Sequence, residues 1–366
     1  MKIGIVTSSL SKTDGYGRYS FEVISQLQDY GKVKVICHQM ESMDGVDFYP
    51  ILPRPLTNPL KMIWYSYAIA KYLKDCDVIH CFVEPYAPVV AFSNLLLRKP
   101  LFIAALGTYA IRPLNKKGVD SLLMKFAYRR ASKILSISSF TKNEILKRCS
   151  LGNIEVIPLG VNYEVFQKGK TKKERGEETI ILSVGAVKPR KGFDISIQAI
   201  SKLQKENIKY YIVGDVHDSS FCNQLQKKIT NEGLAGKVEL LGMVSDEELI
   251  RLYHACDIFL LTPKNVDFNV EGFGLVYLEA NACGKPVIGT YGCGAEDAIV
   301  DGYNGLLVPQ DDPEATAKAI KSFLNNPKVA QKMGENGRKR AREMSWDNTV
   351  EKIVSIYEDA LKTGKG

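Results

Sequence analysis

Two glutamates, Glu271 and Glu279, stand eight positions apart, with Gly272-Phe273-Gly274 and then an apolar stretch between them. If a helix starts near Gly274, the backbone N–H groups of Phe273, Gly274, Leu275 and Val276 point out of its first turn with partial positive charge. That is a phosphate-binding arrangement, and the glycines let a ligand come close. Glu279 then lies roughly 7–8 Å further along at ~1.5 Å per residue, about the reach from a diphosphate to a ribose. A carboxylate accepts hydrogen bonds from a vicinal diol. Glu271 sits at the other end of the phosphate, where a sugar would stand. Two acids gripping two polyols across one diphosphate is one chemistry for this stretch; a capping acid plus a surface glutamate is the plain alternative. Against the latter, Glu279 falls inside the apolar run 275–283, and a buried acid needs partners.

These residues need a scaffold. The chain has 366 residues, enough for two domains, with 45% hydrophobic and 25% charged residues, the balance of a water-soluble globular protein. Strand-like runs at 2–7, 32–37, 78–82, 101–105, 133–138 and 154–157 alternate with helical patterns, notably 17–29, 59–74, 119–131 and 140–148. The polar stretch 169–178 cannot bury apolar area and reads as a linker. Alternation resumes with strands at 179–184, 209–213, 237–241, 257–261, 286–289 and 306–308. Helices are expected at 193–204, 219–232, 246–255, 275–283, 313–325 and 327–343. Repeated β-α units predict parallel sheets covered on both faces. The fold class is therefore α/β, two doubly wound domains, 1–168 and 179–344, facing a central cleft. A last helix at 345–366 is expected to pack back on the first domain. Ligands of such sheets bind at the carboxyl ends of the strands.

The eight cysteines are scattered without a Cys-x-x-Cys pair, which fits a reduced compartment. With four isolated histidines they give no metal signature. No leader-like segment opens the chain and no run of about 20 apolar residues appears, so a cytoplasmic protein without a membrane span is expected. Residues 1–168 hold 22 basic against 13 acidic side chains; residues 98–148 hold 12 against Asp120 and Glu144. Such a field attracts anions. Over 119–134, Val119, Leu122, Leu123, Phe126, Ala127 and Ile134 make an apolar arc beside Lys125, Arg129 and Lys133. Attachment to anionic lipid at the inner face of a membrane and an ordinary solvent-facing domain helix both fit. Nucleic acid is disfavoured, since no basic-aromatic interleaving or known module appears.

The run Glu271-Gly272-Phe273-Gly274-Leu275-Val276-Tyr277-Leu278-Glu279-Ala280, followed by Gly284-Lys285-Pro286-Val287-Ile288, resembles the E-x7-E signature of family 4 glycosyltransferases. The resemblance covers nearly the whole chain. It implies the GT-B fold, two Rossmann-like domains, and retaining transfer of a sugar from a nucleotide-diphosphate donor without a catalytic metal or other cofactor. It implies that Glu271 and the 272–275 amides orient the sugar and that Glu279 holds the donor ribose. Ser183 to Gly192 resembles the donor-phosphate loop: Gly185 opens it, and Lys191, with Arg190, neutralises the diphosphate. The family usually carries arginine where Ala186 stands here. Gly15, in Asp14-Gly15-Tyr16-Gly17-Arg18, resembles the glycine that meets the diphosphate from the first domain. Met243 follows the strand end whose backbone reads the base. Tyr16, Arg18, Thr108 and Tyr109 fall on the acceptor side. Many members carry histidine at the position of Leu106. Glu296, in a second glycine loop, fits a donor contact or a helix cap. His80 and His217 end strands and fit either the cleft or the core, and Asp75-Cys76-Asp77 reads as an acidic turn.

The expectation is a hexosyltransferase, with mannose slightly favoured, using GDP-mannose or a UDP-hexose. Its acceptor would be a glycan or a lipid-linked intermediate in polysaccharide or glycoconjugate synthesis. Another GT-B sugar-nucleotide enzyme, an epimerase or phosphorylase, and a non-catalytic sugar-nucleotide-binding subunit are the alternatives.

Overall fold

The computed structural model describes residues 1–11, 14–53, 59–115, 117–169, 178–216 and 219–363. Most of the expected linker, 170–177, lies outside the described residues, as does His217. The chain divides into two compact units, Met1–Leu159 with Trp346–Gly366, and Gly160–Ser345.

The first unit carries β1 (Lys2–Val6), β2 (Lys32–Cys37), β3 (Val46–Pro50), β4 (Val78–Cys81), β5 (Leu101–Ala105), β6 (Lys133–Ser136) and β7 (Ile154–Val156). They pair in parallel in the order β3-β2-β1-β4-β5-β6-β7. The continuous apolar runs explain this: Ile3, Ile5, Val6, Val78, Ile79 and the whole of β5 are buried, as strands covered on both faces must be. The expected strands fall within two residues of those observed. β3 was not expected: it is a half-exposed edge strand ending in Pro50, so it lacks the apolar run that marks the others. Two helices were also not foreseen, Ala87–Leu97 and Thr108–Asn115; the first is apolar nearly throughout, and the second contains Pro113.

The helix Trp346–Thr363 belongs to this unit. Its Tyr357 hydroxyl is 2.5 Å from Nδ1 of His80, and Thr349 Oγ1 donates to the carbonyl of Pro158 at 3.0 Å. His80 is fully buried against Phe82 and Phe102, and burial pulls its pKa to about 3. It is a neutral core histidine that ties the last helix to the sheet. The 119–134 region also departs from expectation. The helix stops at Arg130, Lys133 opens β6 and pairs with Glu155 at 3.3 Å, and Ile134 lies in the sheet. Ser121, Met124, Ala127 and Tyr128 face inward, while Val119 and Leu122 are exposed.

The second unit carries β8 (Thr179–Val184), β9 (Ile208–Val213), β10 (Val238–Gly242), β11 (Ile258–Leu260), β12 (Val287–Thr290) and β13 (Gly305–Val308), in the parallel order β10-β9-β8-β11-β12-β13. Helices at Phe193–Ser201, Ser219–Asn231, Asp246–Ala255, Leu275–Ala282, Pro313–Asn325 and Pro327–Glu343 match the periodicity of the sequence. The unit begins at Gly160 rather than near 179. The short helix Tyr163–Gln167 buries Phe166 against the Tyr253 ring, and the Phe166 carbonyl accepts from Cys283 Sγ at 3.2 Å. Among the described residues, no helix is long and apolar enough to cross a membrane. Among the same residues, no cluster of three or more His, Cys, Asp or Glu side chains could hold a metal ion.

Candidate active site

Each sheet reverses its strand order once, between β1 and β4 in the first unit and between β8 and β11 in the second. A parallel sheet opens a crevice at the carboxyl ends of its strands at that point. Both crevices are lined by ionisable groups, of opposite character.

In the second unit, the loop leaving β8 makes one turn over Pro189–Lys191 and closes at Gly192, whose φ of 69° is left-handed. A Cβ there would lie 1.7 Å from the Thr262 carbonyl, just past β11, so only glycine lets the two switch-point loops touch. Thr262 Oγ1 donates to the Gly192 carbonyl at 2.8 Å, and the Lys264 amide donates to the Arg190 carbonyl at 2.9 Å. The β8 and β11 loops are thereby laced together, and Arg190 and Lys191 are held in place.

Both cations meet Glu271. Arg190 Nη1 and Lys191 Nζ lie 2.7 and 2.8 Å from the same oxygen, Oε2. Lys191 and Glu271 are buried and Arg190 is partly open to solvent. Burial alone would raise the Glu271 pKa; Lys191 and then Arg190 overcome it and hold the carboxyl at about 2. Burial, and the charge of Arg190, pull Lys191 below the usual lysine value, while Glu271 works in the other direction. The group is thus a fixed carboxylate with two fixed cations, one charge in excess on the positive side.

Gly274 is the N-cap of the helix Leu275–Ala282, with φ 83° and no side chain capping it. A Cβ there would run into the Tyr277 ring at 2.5 Å. The Tyr277 hydroxyl donates to the Leu261 carbonyl at 2.8 Å, which fixes the helix to the end of β11. Phe273 is buried beneath the turn. The second glycine loop buttresses it: the Gly294 amide donates to the Glu271 carbonyl at 2.9 Å, and Glu296 accepts from its own loop at the Gly292 amide. Gly185 begins the β8 loop, and a Cβ on it would sit 3.3 Å from the Lys191 side chain. These expected residues therefore converge: Gly185, Arg190, Lys191, and Glu271 through Val276.

Glu279 goes elsewhere. It is 1% exposed, and its Oε2 accepts the Tyr253 hydroxyl at 2.7 Å. The two glutamates have separate anchors, one on cations and one on a phenol. Met243 follows the end of β10 with its side chain 64% exposed.

In the first unit, Asp14 caps the helix Gly15–Leu27 by accepting from the Gly17 amide at 2.9 Å. A Cβ on Gly15 would meet nothing within 4 Å, so the turn is open there. Tyr16 and Tyr109 bring their rings to 6.0 Å. Between them and the sheet stands a residue not expected from the sequence. Glu84, after β4, is fully buried; it accepts the Tyr16 hydroxyl at 2.6 Å and the Leu106 amide at 2.5 Å. Burial raises its pKa to about 7, against those two hydrogen bonds, which lower it. Leu106 thus contributes through its backbone. Thr108 starts the helix after β5. Arg18 is half-buried on the helix Gly15–Leu27. Asp75 and Asp77 lie at the amino end of β4, away from the switch point. Asp75 pairs with Lys34 at 2.7 Å, and Asp77 accepts from the Lys2 amide. They are an acidic turn.

Residues 166–340 match the family model described as glycosyl transferases group 1, and residues 13–165 match the model Glycosyltransferase Family 4. An uncharacterized glycosyltransferase of Methanocaldococcus jannaschii is 30% identical over 307 residues, 80% of this chain and 79% of that protein. The D-inositol 3-phosphate glycosyltransferase of Mycobacterium marinum is 30% identical over 226 residues, 59% of this chain; the match spans about half (47%) of that protein's length. Among solved structures, a glycosyltransferase from Rickettsia africae superposes with a TM-score of 0.85 at 22% identity, covering 99% of this chain and 98% of its own. HepE of Anabaena, solved with UDP-glucose, gives 0.80 at 19% identity over 98% of this chain and 100% of its own. The chain belongs to the family 4 glycosyltransferases and has their GT-B architecture of two Rossmann-like α/β domains.

Proposed function

We propose that the protein is a retaining hexosyltransferase that moves a sugar from a nucleotide-diphosphate donor to a glycan or a lipid-linked acceptor. The observation that carries this is the Arg190–Lys191–Glu271 group at the β8/β11 switch point. Breaking the bond between the anomeric carbon and the phosphate oxygen leaves negative charge on the diphosphate. Cations already in place stabilise that charge without reorganising. Lys191 and Arg190 take the diphosphate, together with the uncapped amides at Gly274 and Leu275. Glu271, held ionised, accepts hydroxyls of the transferred sugar, and Glu279 takes the ribose. In front-face transfer the acceptor oxygen bonds to the anomeric carbon on the face the diphosphate leaves. The acceptor proton passes to a donor phosphate oxygen, so no side-chain base is needed. Tyr16, Arg18, Thr108 and Tyr109 serve the acceptor. GDP-mannose and UDP-hexoses are the donors to compare; the UDP and UDP-glucose complexes of HepE favour testing UDP donors first. A lipid-linked acceptor would place the enzyme at the cytoplasmic face of a membrane.

The test is a nucleotide-sugar panel. One donor should raise the melting temperature in a dose-dependent way and be turned over. The product should keep the donor's anomeric configuration by NMR. Stabilisation by no donor, or an inverted product, would refute the proposal.

A further inference from the structure

The helices Pro59–Leu73, Ala87–Leu97 and Val119–Arg130 lie side by side on the first unit. Ser66 Oγ donates to the Val89 carbonyl at 3.2 Å, and the Phe92 and Phe126 rings stack at 4.9 Å. Their outward faces are unusual. Ten large apolar side chains are exposed among the described residues of this unit, and seven sit on these three helices. Ile63, Trp64, Tyr67, Leu96, Val119 and Leu122 are each 60–71% exposed. Single exposed apolar residues are ordinary; seven gathered on three neighbouring helices mark a contact surface.

The charge on the same layer says what it meets. Over 59–74, 87–99 and 117–130 there are nine lysines and arginines and one acid, Asp120. Where the helices end, Arg98, Lys99 and Arg130 line an open pocket of about 610 Å³ with Asn94, Leu95 and Ser132. A second copy of the chain seated symmetrically here would set basic residues against basic residues. Nucleic acid would leave Ile63, Leu96 and Leu122 in contact with nothing apolar. A bilayer surface satisfies both sets: Trp, Tyr and aliphatic tips enter the interface, and lysine and arginine meet lipid phosphates.

We propose that this three-helix face docks on a bilayer surface carrying anionic lipid. The inference deepens the lipid-linked-acceptor part of the proposed function, yet it is measured without donor or acceptor, so either can fail alone. The full chain is mixed with vesicles of phosphatidylcholine with or without phosphatidylglycerol, and binding is read by flotation. Trp346 is buried, so a blue shift of tryptophan emission on adding vesicles reports Trp64. The anionic vesicles should bind the protein and the neutral ones far less. Trp64→Ser with Leu122→Ser, and separately Arg98→Glu with Arg130→Glu, should each cut binding about tenfold or more. These side chains are exposed, so folding should persist, checked by circular dichroism and by an unchanged urea-unfolding midpoint. Equal binding to both vesicle types, no binding, or full binding by either double variant would overturn the proposal. So would a dimer that Leu122→Ser dissolves.

Discussion

The two units share a topology and use it in opposite ways. Each places a buried glutamate where its sheet reverses direction. In the second unit Glu271 is met by two cations and held ionised, with its pKa down at about 2. In the first unit Glu84 is met by a phenol and an amide, and burial lifts it to about 7. The difference shows that the fold supplies a location and the neighbours supply the charge state. The β8/β11 switch point carries cations in excess, as the proposed diphosphate site requires. At the β1/β4 switch point the groups that meet Glu84 are hydrogen-bond donors without charge.

The largest way to break this contrast is to remove a cation. Lys191→Ala should lower turnover about 10²–10³-fold, as loss of a preorganised charge-stabilising group does elsewhere; steady-state kinetics with the matched donor would measure it. A rise in KM with kcat unchanged would mean that Lys191 only binds.

The next test uses pH, because the two glutamates pull stability in opposite directions. Glu271 has a depressed folded pKa, so its contribution is present above its ordinary value of 4.5 and lost as pH falls toward about 2. Glu84 has a raised folded pKa, so its contribution is present below 4.5 and lost as pH rises through about 7. Over that window the loss is on the order of 3 kcal/mol. Glu84→Gln cannot ionise and should flatten that decline, measured by urea unfolding from pH 4.5 to 8. An unchanged slope would show that Glu84 is not the group responsible. At pH 7 the same isosteric change at Glu271 should destabilise, because it strands two cations, one of them buried.

Smaller effects sharpen the contrast. Glu279→Ala leaves the buried Tyr253 hydroxyl without its acceptor and should cost roughly 1–3 kcal/mol, visible in denaturant unfolding. Glu279→Gln, which can still accept from Tyr253, should restore most of that stability. Any remaining loss of nucleotide affinity then belongs to the ribose contact. Tyr16→Phe removes one of the hydrogen bonds that lower the Glu84 pKa. It should cost about 1 kcal/mol and move the stability decline to higher pH.

Much of this was legible in the sequence, for identifiable reasons. Buried parallel strands are continuous apolar runs, so nearly all were visible; β3 was missed because an edge strand is not such a run. Arg190, Lys191 and Glu271 stood out through their resemblance to the family's motifs, and the turns that hold them close on left-handed glycines, Gly192 and Gly274. Glu84 left none. It is a lone acid in Val83-Glu84-Pro85 after an apolar strand, and its partners Tyr16 and Leu106 are distant in the chain. The apolar arc over 119–134 was visible, but neither its direction nor its end at Arg130 was. Only the packed neighbours reveal that Val119 and Leu122 face out while Ser121 and Met124 face in.

The central claim is that Glu271 acts on the transferred sugar and is more than a partner for Lys191 and Arg190. Single-turnover release of the nucleotide from the matched donor, in wild type and Glu271→Gln, tests it most directly. The rate should be at least about 100-fold lower in the variant, with donor affinity held within a few-fold. An unchanged rate, or a loss wholly recovered by raising donor concentration, would contradict it.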